Sequence, residues 1–434
     1  MVNEVRHIEL GDIPVDWKIQ TFEETFRMLS NNTLSRDNLN NRGGGVRDIH
    51  YGDILTAFPE VLNCRTEEIP YINNLNLLTA STQLLQDGDV VIADTAEDDT
   101  VGKVTEIQNL EENKLVAGLH TIPCRVKKGD FVPGWLGYYM NSHMYHNQIL
   151  PFITGTKVSS ISKSAIAGTL ILVPPIEIQR SIVAALSKVD ELTRNERLTV
   201  DKLEAFKTAQ LQAMFPRNDA DIPEVRFPEF TDSWEQRKVK DISDFIDGNY
   251  GEKYPRDDEF IDSGIPFFTS AVTGSEGIFN EKNVKFISTE KNRELTKAQS
   301  QGGDLILTNR GASMGVIAEI PEKYGLVNIG PQLTRIRGKE NEANNKYLLC
   351  LFQTSTNNKK LTSMNAGSAM PFIGLKGLGN IDLLIPQYDE QLKIGEYFSC
   401  LDNLITLHQH KCEKYVNIKK GMISELLVGN IQIR

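Results

Sequence analysis

Residues 155–215 of this chain reappear, without a gap, as residues 367–427, so the polypeptide is built as two related units. At this constant offset Gly155 falls on Gly367, Ile161 on Ile373, Pro174 on Pro386, Gln179 on Gln391 and Ile182 on Ile394. Asp190 then falls on Asp402, Leu192 on Leu404, Lys202 on Lys414 and Lys207 on Lys419. The apolar run Leu170-Ile171-Leu172-Val173 matches Asp382-Leu383-Leu384-Ile385 in kind. Upstream the match loosens. Trp17 corresponds to Trp234, Gly88-Asp89-Val90-Val91-Ile92 to Gly303-Asp304-Leu305-Ile306-Leu307, and Val101–Ile107 to Met314–Ile320. The drifting offsets there place insertions and deletions in loops. A shared scaffold with diverged loops is the pattern expected of two heads that bind different targets.

The gapless part reads as a junction followed by a helix. Beyond Pro174-Pro175, residues 177–213 contain neither Pro nor Gly. Ile178, Ile182, Ala185, Leu186, Val189, Leu192, Leu203 and Phe206 recur at helical spacing. Residues 390–427 repeat this with Ile394, Phe398, Leu401, Leu404, Ile405, Tyr415, Ile418 and Ile423. Each helix would run ~55 Å at 1.5 Å per residue. Two helices with one apolar stripe each most simply cover one another as an antiparallel coiled coil; the alternative is that each lies on its own globular domain. Pro216–Pro223 reads as a polar linker. Elsewhere short apolar runs alternate with Gly, Asn and Asp turn signals. Strands are expected at 90–93, 305–307, 315–317 and 333–336, and helical turns near 135–141 and 347–353. The fold class expected is α+β, in four segments: a head at 1–175, a helix at 176–215, a linker and second head at 216–385, and a helix at 386–434.

Composition narrows the function. The net charge of −11 argues against wrapping nucleic acid by bulk electrostatics. Any DNA contact must come from local basic loops or be helped by a partner. No apolar run reaches the ~20 residues of a membrane span, and the N-terminus lacks a signal-peptide core. The expected location is therefore cytoplasmic, with no membrane partner. The five cysteines form no CxxC pair and are expected to be buried or half-buried free thiols.

Catalytic signatures are missing. The chain has no Asn/Asp-Pro-Pro-aromatic motif of an adenine methyltransferase and no GxxxxGK[ST] of a P-loop ATPase. Gly374-Leu375-Lys376-Gly377-Leu378-Gly379 lacks dinucleotide spacing and is read as a strand-end turn. Asp257-Asp258-Glu259 lacks the following Lys of a common nuclease pattern. His408 and His410 lie two apart on a helix and point away from one another, so no metal site is expected. Neither a catalytic centre nor a cofactor is expected in this chain.

The junction carries a resemblance. Gly155-Thr156-Lys157 and the strand before Pro174, followed by Glu177-Ile178-Gln179 and Ile182, recur as Gly367-Ser368 and the strand before Pro386, followed by Glu390-Gln391 and Ile394. Gly-Ser/Thr, a strand ending in Pro, then Glu-Gln and Ile opening a helix is similar to the specificity subunit of type I restriction-modification systems. The first copy departs from the pattern by placing Ile178 between Glu177 and Gln179. Asp48–Ile54 and Pro223–Pro228 also resemble stretches of that family. The resemblance spans essentially the whole chain and implies two target-recognition domains in pseudo-twofold repeat on a double-stranded DNA target of two parts. It implies two methyltransferase (modification) subunits docked on the helices, bringing S-adenosylmethionine and adenine methylation, and restriction subunits adding ATP-driven translocation and cleavage. The helices would then act as a ruler between readers about one DNA turn, 34–36 Å, apart.

Base readout needs Arg or Lys for guanine, Asn or Gln for adenine, and Ser or Thr more permissively. Loop candidates in the first head are Arg47, His50, Tyr51, Thr156, Lys157, Ser159 and Ser160. In the second they are Thr269, Ser270, Thr273, Asn309, Arg310 and Ser368. Each has a competing reading as a solvated loop or turn cap. Two other functions stay open: a recognition subunit serving a fused methylase-nuclease, and a protein–protein scaffold without DNA contact.

Overall fold

The computed structural model describes residues 5–8, 10–127, 129–155, 158–217, 220–274, 279–363 and 372–427. They form two compact units, Met1–Glu196 with Lys411–Arg434, and Arg197–His410. Both are α+β.

In the first unit Val90–Ala93 is the middle strand of five, ordered Phe26–Met28, Thr121–Val126, Val90–Ala93, Val104–Gln108, Val61–Asn63. All four of its residues are buried, so this sheet is covered on both faces at its centre. A second sheet runs Leu115–Ala117, Arg47–Ile49, Tyr71–Ile72, Leu39–Asn40. The second unit keeps the frame. Leu305–Thr308, also wholly buried, lies between Leu333–Gly338 and Ile317–Glu319, with Ser243–Asp247 at the far edge. Its second sheet is Phe260–Ile261, Lys285–Ile287, Ile265–Phe268, Leu326–Ile329, Gln299–Gln301. In each unit a small antiparallel ribbon joins the start of the head to the strand before the proline: Lys18 opposite Val173, and Glu235 opposite Ile385.

Equivalent cores hold these ribbons. Trp17 meets Trp135 edge-on at 6.2 Å, and the Trp135 indole donates to the Leu172 carbonyl at 3.2 Å. Trp234 meets Tyr347 edge-on at 6.1 Å, and the Tyr347 hydroxyl donates to the Leu384 carbonyl at 3.1 Å. Trp135 and Tyr347 thus each find a partner for the one polar atom of the ring, as buried Trp and Tyr usually do.

The glutamine shared by both junctions fastens head to helix. Gln179 is buried; its amide nitrogen donates to the carbonyls of Pro174 and Asp130, and its oxygen accepts from Val132 N at 2.9 Å. Gln391 repeats all three bonds with Pro386, Glu342 and Asn344. A second shared corner follows the Gly-Asp pairs. Gly88 and Gly303 take φ of +83° and +80°, a conformation that favours glycine. The following carboxylates are buried and bind arginines at two points each: Asp89 with Arg125 at 2.7 and 2.6 Å, Asp304 with Arg337 at 2.5 and 2.6 Å.

The long helices are Ile176–Ala213, 38 residues, and Tyr388–Leu426, 39 residues. Each contributes one part to each unit. In the first unit Ile182 and Leu186 share a core with Ile423, Leu426 and Leu427. Asp190 meets Lys419 at 2.6 Å and Glu196 meets Lys411 at 3.8 Å, so the helices run antiparallel there. In the second unit Lys207 meets Asp402 at 2.6 Å and Phe215 lies 6.1 Å from Phe398, again antiparallel. The repeat maps one ion pair onto the other with the helices exchanging roles. Helix-on-helix and helix-on-head packing, set as alternatives above, therefore both occur.

Three local expectations need correction. The strand expected at 315–317 begins at Ile317, because Gly315 takes φ of +90° in a turn. Gly374–Gly379 is not a strand-end turn: Leu375–Gly379 is a short helix, as is Lys163–Ala167 in the other unit. Cys64, Cys124 and Cys350 are buried and Cys412 half-buried, but Cys400 is exposed. Among the described residues, no helix is long and apolar enough to cross a membrane.

Candidate nucleic-acid interface

The central strand of each head ends where several loops converge, and hydrogen bonds of the same kind gather them in both units. In the first, Asp94 N donates to the His120 carbonyl at 3.1 Å and Ile161 N to the Asp94 carbonyl at 2.9 Å. In the second, Asn309 N donates to the Gln332 carbonyl at 2.9 Å and Ile373 N to the Asn309 carbonyl at 2.8 Å. Thr95 pairs with Ser160, as Arg310 pairs with Phe372. A fourth segment enters by a parallel pairing, Ile49 beside Ala117 and Phe268 beside Ile329. His50-Tyr51 therefore corresponds to Thr269-Ser270. Gly118 N to the Ile49 carbonyl at 3.0 Å, and Gly330 N to the Phe268 carbonyl at 2.8 Å, hold this register.

One backbone frame thus presents four equivalent positions per head, and the side chains on it differ at every one. The first unit shows Tyr51, Thr95, His120 and Ser160; the second shows Ser270, Arg310, Gln332 and Phe372. His120, Gln332 and Arg310 are exposed, and the rest are half-buried. Contacts across the positions follow the same plan. Tyr51 lies edge-on to His120 at 5.3 Å, where Ser270 donates to the Gln332 side-chain oxygen. His120 Nδ1 also lies 3.2 Å from Thr95 Oγ1 and 3.4 Å from an Asp94 oxygen.

The residues expected at this surface divide sharply. Tyr51, Ser160, Ser270 and Arg310 join the cluster. Ser159 borders it through its pairing with Ala96, and Thr269 adjoins Ser270, half-buried. Arg47, His50, Thr273 and Asn309 make contacts within their own heads. Arg47 donates to the Tyr71 hydroxyl and to the Cys64 carbonyl and lies over the Tyr71 ring. His50 is buried and caps the helix Tyr51–Thr56, its Nδ1 accepting from Gly52 N at 3.2 Å. Burial holds its pKa below the ordinary histidine value. Thr273 is buried against Thr308. Asn309 is fully buried; its amide nitrogen donates to Asp247, Thr334 and the Pro331 carbonyl. No donor remains for a base edge. Thr156, Lys157 and Ser368 lie outside the described residues.

His120, Gln332, Thr95 and Phe372 were not expected here. His120 and Gln332 stand at the common offset, each directly before a matched strand, so extending the repeat upstream would have found them. Behind the first cluster sits a carboxyl with no counterpart in the second. Asp48 is fully buried, one oxygen accepting from Asn32 Nδ2 at 2.6 Å and the other without a hydrogen-bond partner among the described residues. Burial pushes its pKa up to about 7; Asn32 and Arg36 oppose that rise and Asp53 adds to it. The corresponding position in the second unit is Phe267.

Comparison with known proteins agrees with this architecture. Residues 231–414 match the family model of the type I restriction modification DNA specificity domain. The type I restriction enzyme MjaVIII specificity subunit of Methanocaldococcus jannaschii is 24% identical over 289 residues, 64% of this chain and 66% of that one. The putative type I restriction enzyme MjaX specificity subunit of the same organism is 21% identical over 442 residues, 98% of this chain and 96% of its own. The solved S subunit of the type I restriction-modification system of M. genitalium superposes with a TM-score of 0.57 at 14% identity, covering 94% of this chain and 96% of that chain. A solved chain of another type I R-M system gives 0.54 at 16% identity, over 96% and 99%. The specificity-domain match lies in residues 231–414, the same frame recurs in residues 1–215, and along its whole length this chain is similar to the specificity subunits of type I restriction-modification systems.

Proposed function

We propose that each unit reads one half of a bipartite double-stranded DNA site through its four-position cluster, and that this chain selects the sequence on which partner subunits act. The observation that carries the reading is the contrast within the clusters: one hydrogen-bonded frame, unlike side chains at every position. Phosphates are the same at any sequence, so a surface that only gripped the backbone would have no reason to differ between heads. Base edges differ, and reading them requires different side chains. The candidate readers are Tyr51, His120, Thr95, Ser159 and Ser160 in one head, and Thr269, Ser270, Arg310, Gln332 and Phe372 in the other. Thr156, Lys157 and Ser368 remain candidates as well.

Two methyltransferase subunits are proposed to dock on the long helices, one per repeat, and to carry the adenine methylation. Restriction subunits would join them. The repetition of Gln179 and Gln391, and of the two Lys–Asp pairs between helices, supports one kind of partner received twice. The net charge of −11 supports tight specific DNA binding only within the complex.

Mapping of methylated adenines in DNA from cells that carry this chain with its modification subunits tests the reading. The expected result is a single two-part motif with an unspecified spacer. Methylation without a defined motif, or a motif unchanged when this chain is replaced by another specificity subunit, contradicts it.

A further inference from the structure

We infer that Arg310 reads a guanine in the half-site of the second unit, which deepens the DNA-reading role proposed above and rests on it. The orientation of Arg310 is set one residue earlier. Asn309 is buried with its amide nitrogen held by Asp247, Thr334 and Pro331, so its side-chain oxygen has a fixed direction. That oxygen accepts from Arg310 Nε at 3.2 Å. The guanidinium lies over the Phe372 ring, 4.7 Å from its centre, and the backbone pairing of Arg310 with Phe372 sets that ring beside it. A hydrogen bond at Nε and a ring beneath fix both the direction and the plane of an otherwise mobile group.

Arg310 is nevertheless exposed, and its two terminal nitrogens make no hydrogen bond among the described residues. What it offers to solvent is a flat, pre-oriented pair of N–H donors. In the major groove only guanine sets two acceptors, O6 and N7, side by side; adenine replaces one of them with a donor. A phosphate could also take a bidentate arginine, but the first unit shows Thr95 at the equivalent position. The arginine therefore belongs to what distinguishes the heads, as a base reader does and a backbone grip does not. Immobilising the side chain before binding also removes part of the ordering cost that a free arginine would meet at the groove.

The test is adenine-methylation mapping with the full-length chain and its modification subunits, comparing wild type with Arg310→Ala and Arg310→Gln. The expected wild-type motif has a guanine in the half read by residues 197–410. Arg310→Ala should relax that one position, lowering discrimination there roughly 5- to 150-fold, and leave the other half unchanged. Arg310→Gln should move the preference toward adenine. Both variants alter an exposed side chain, and unchanged thermal unfolding would confirm that the fold is intact. Loss of methylation by the same factor at every sequence, with the motif unaltered, would show a phosphate contact and overturn the inference. So would a wild-type half-site without guanine. A wild-type complex with no defined motif would overturn the parent reading as well, and differs from the other results by that mark.

Discussion

The two ends of the central strand in each head follow opposite rules. At its start both units keep the same chemistry: glycine in a left-handed turn, then a buried aspartate clasped by an arginine, Asp89–Arg125 and Asp304–Arg337. At its end both keep the same backbone bonds and change every presented side chain, from Tyr51, Thr95, His120 and Ser160 to Ser270, Arg310, Gln332 and Phe372. The distance between the ends is only a strand of four residues. Scaffold and proposed reading surface are therefore separated by position along one strand rather than by domain, and substitutions at the two ends should fail in different ways.

The largest effect is expected at the constant end. Asp89→Ala leaves the Arg125 guanidinium, only 17% exposed, without its carboxylate. It should destabilise the first unit by roughly 3–5 kcal/mol, read as a lowered melting temperature, while the complex that still folds methylates the same motif. A changed motif would erase the distinction between the two ends.

A somewhat smaller effect is expected behind the variable end, and in one head only. Asp48 holds its proton more tightly in the folded chain than in the unfolded one, since burial raises its pKa from 3.8 to about 7. Its stabilising contribution is complete below about pH 4 and is lost as pH rises through about 7, at most roughly 4 kcal/mol. Asp48→Asn should reduce this decline between pH 4 and 8 in thermal unfolding of the full chain, leaving the part set by Glu106 and Glu319, whose pKa values burial also raises. A decline unchanged in the variant would assign it to those other groups. Phe267 fills the corresponding place in the second unit, so the Asp48 contribution has no counterpart there.

How far the sequence reveals this molecule depends on how its constraints are spread. The junction and the long helices are legible because their demands are local and periodic: a proline-ended strand, a buried Gln179 or Gln391, an apolar stripe. The Gly-Asp corners are equally visible, because a left-handed turn followed by a buried acid tolerates few residues. The clusters proposed to read DNA are harder. Their constraint lies in backbone bonds that any side chain can satisfy, so His120 and Gln332 carry no motif of their own. Polar residues flanking a strand end also look alike whether they face inward or outward. Asn309 and Arg310 are neighbours, yet one is sealed inside by three acceptors and the other is exposed over an aromatic ring. Burial alone separates His50 from Tyr51 in the same way, and sequence adjacency cannot express it.

If the two heads read independently, exchanging one of them changes one half of the methylated motif. Residues 1–150 would be replaced by the matching segment of another type I specificity subunit, and methylated adenines mapped with the same modification subunits. The expected motif has one new half, with the other half and the spacer retained. A motif altered in both halves would contradict independent reading.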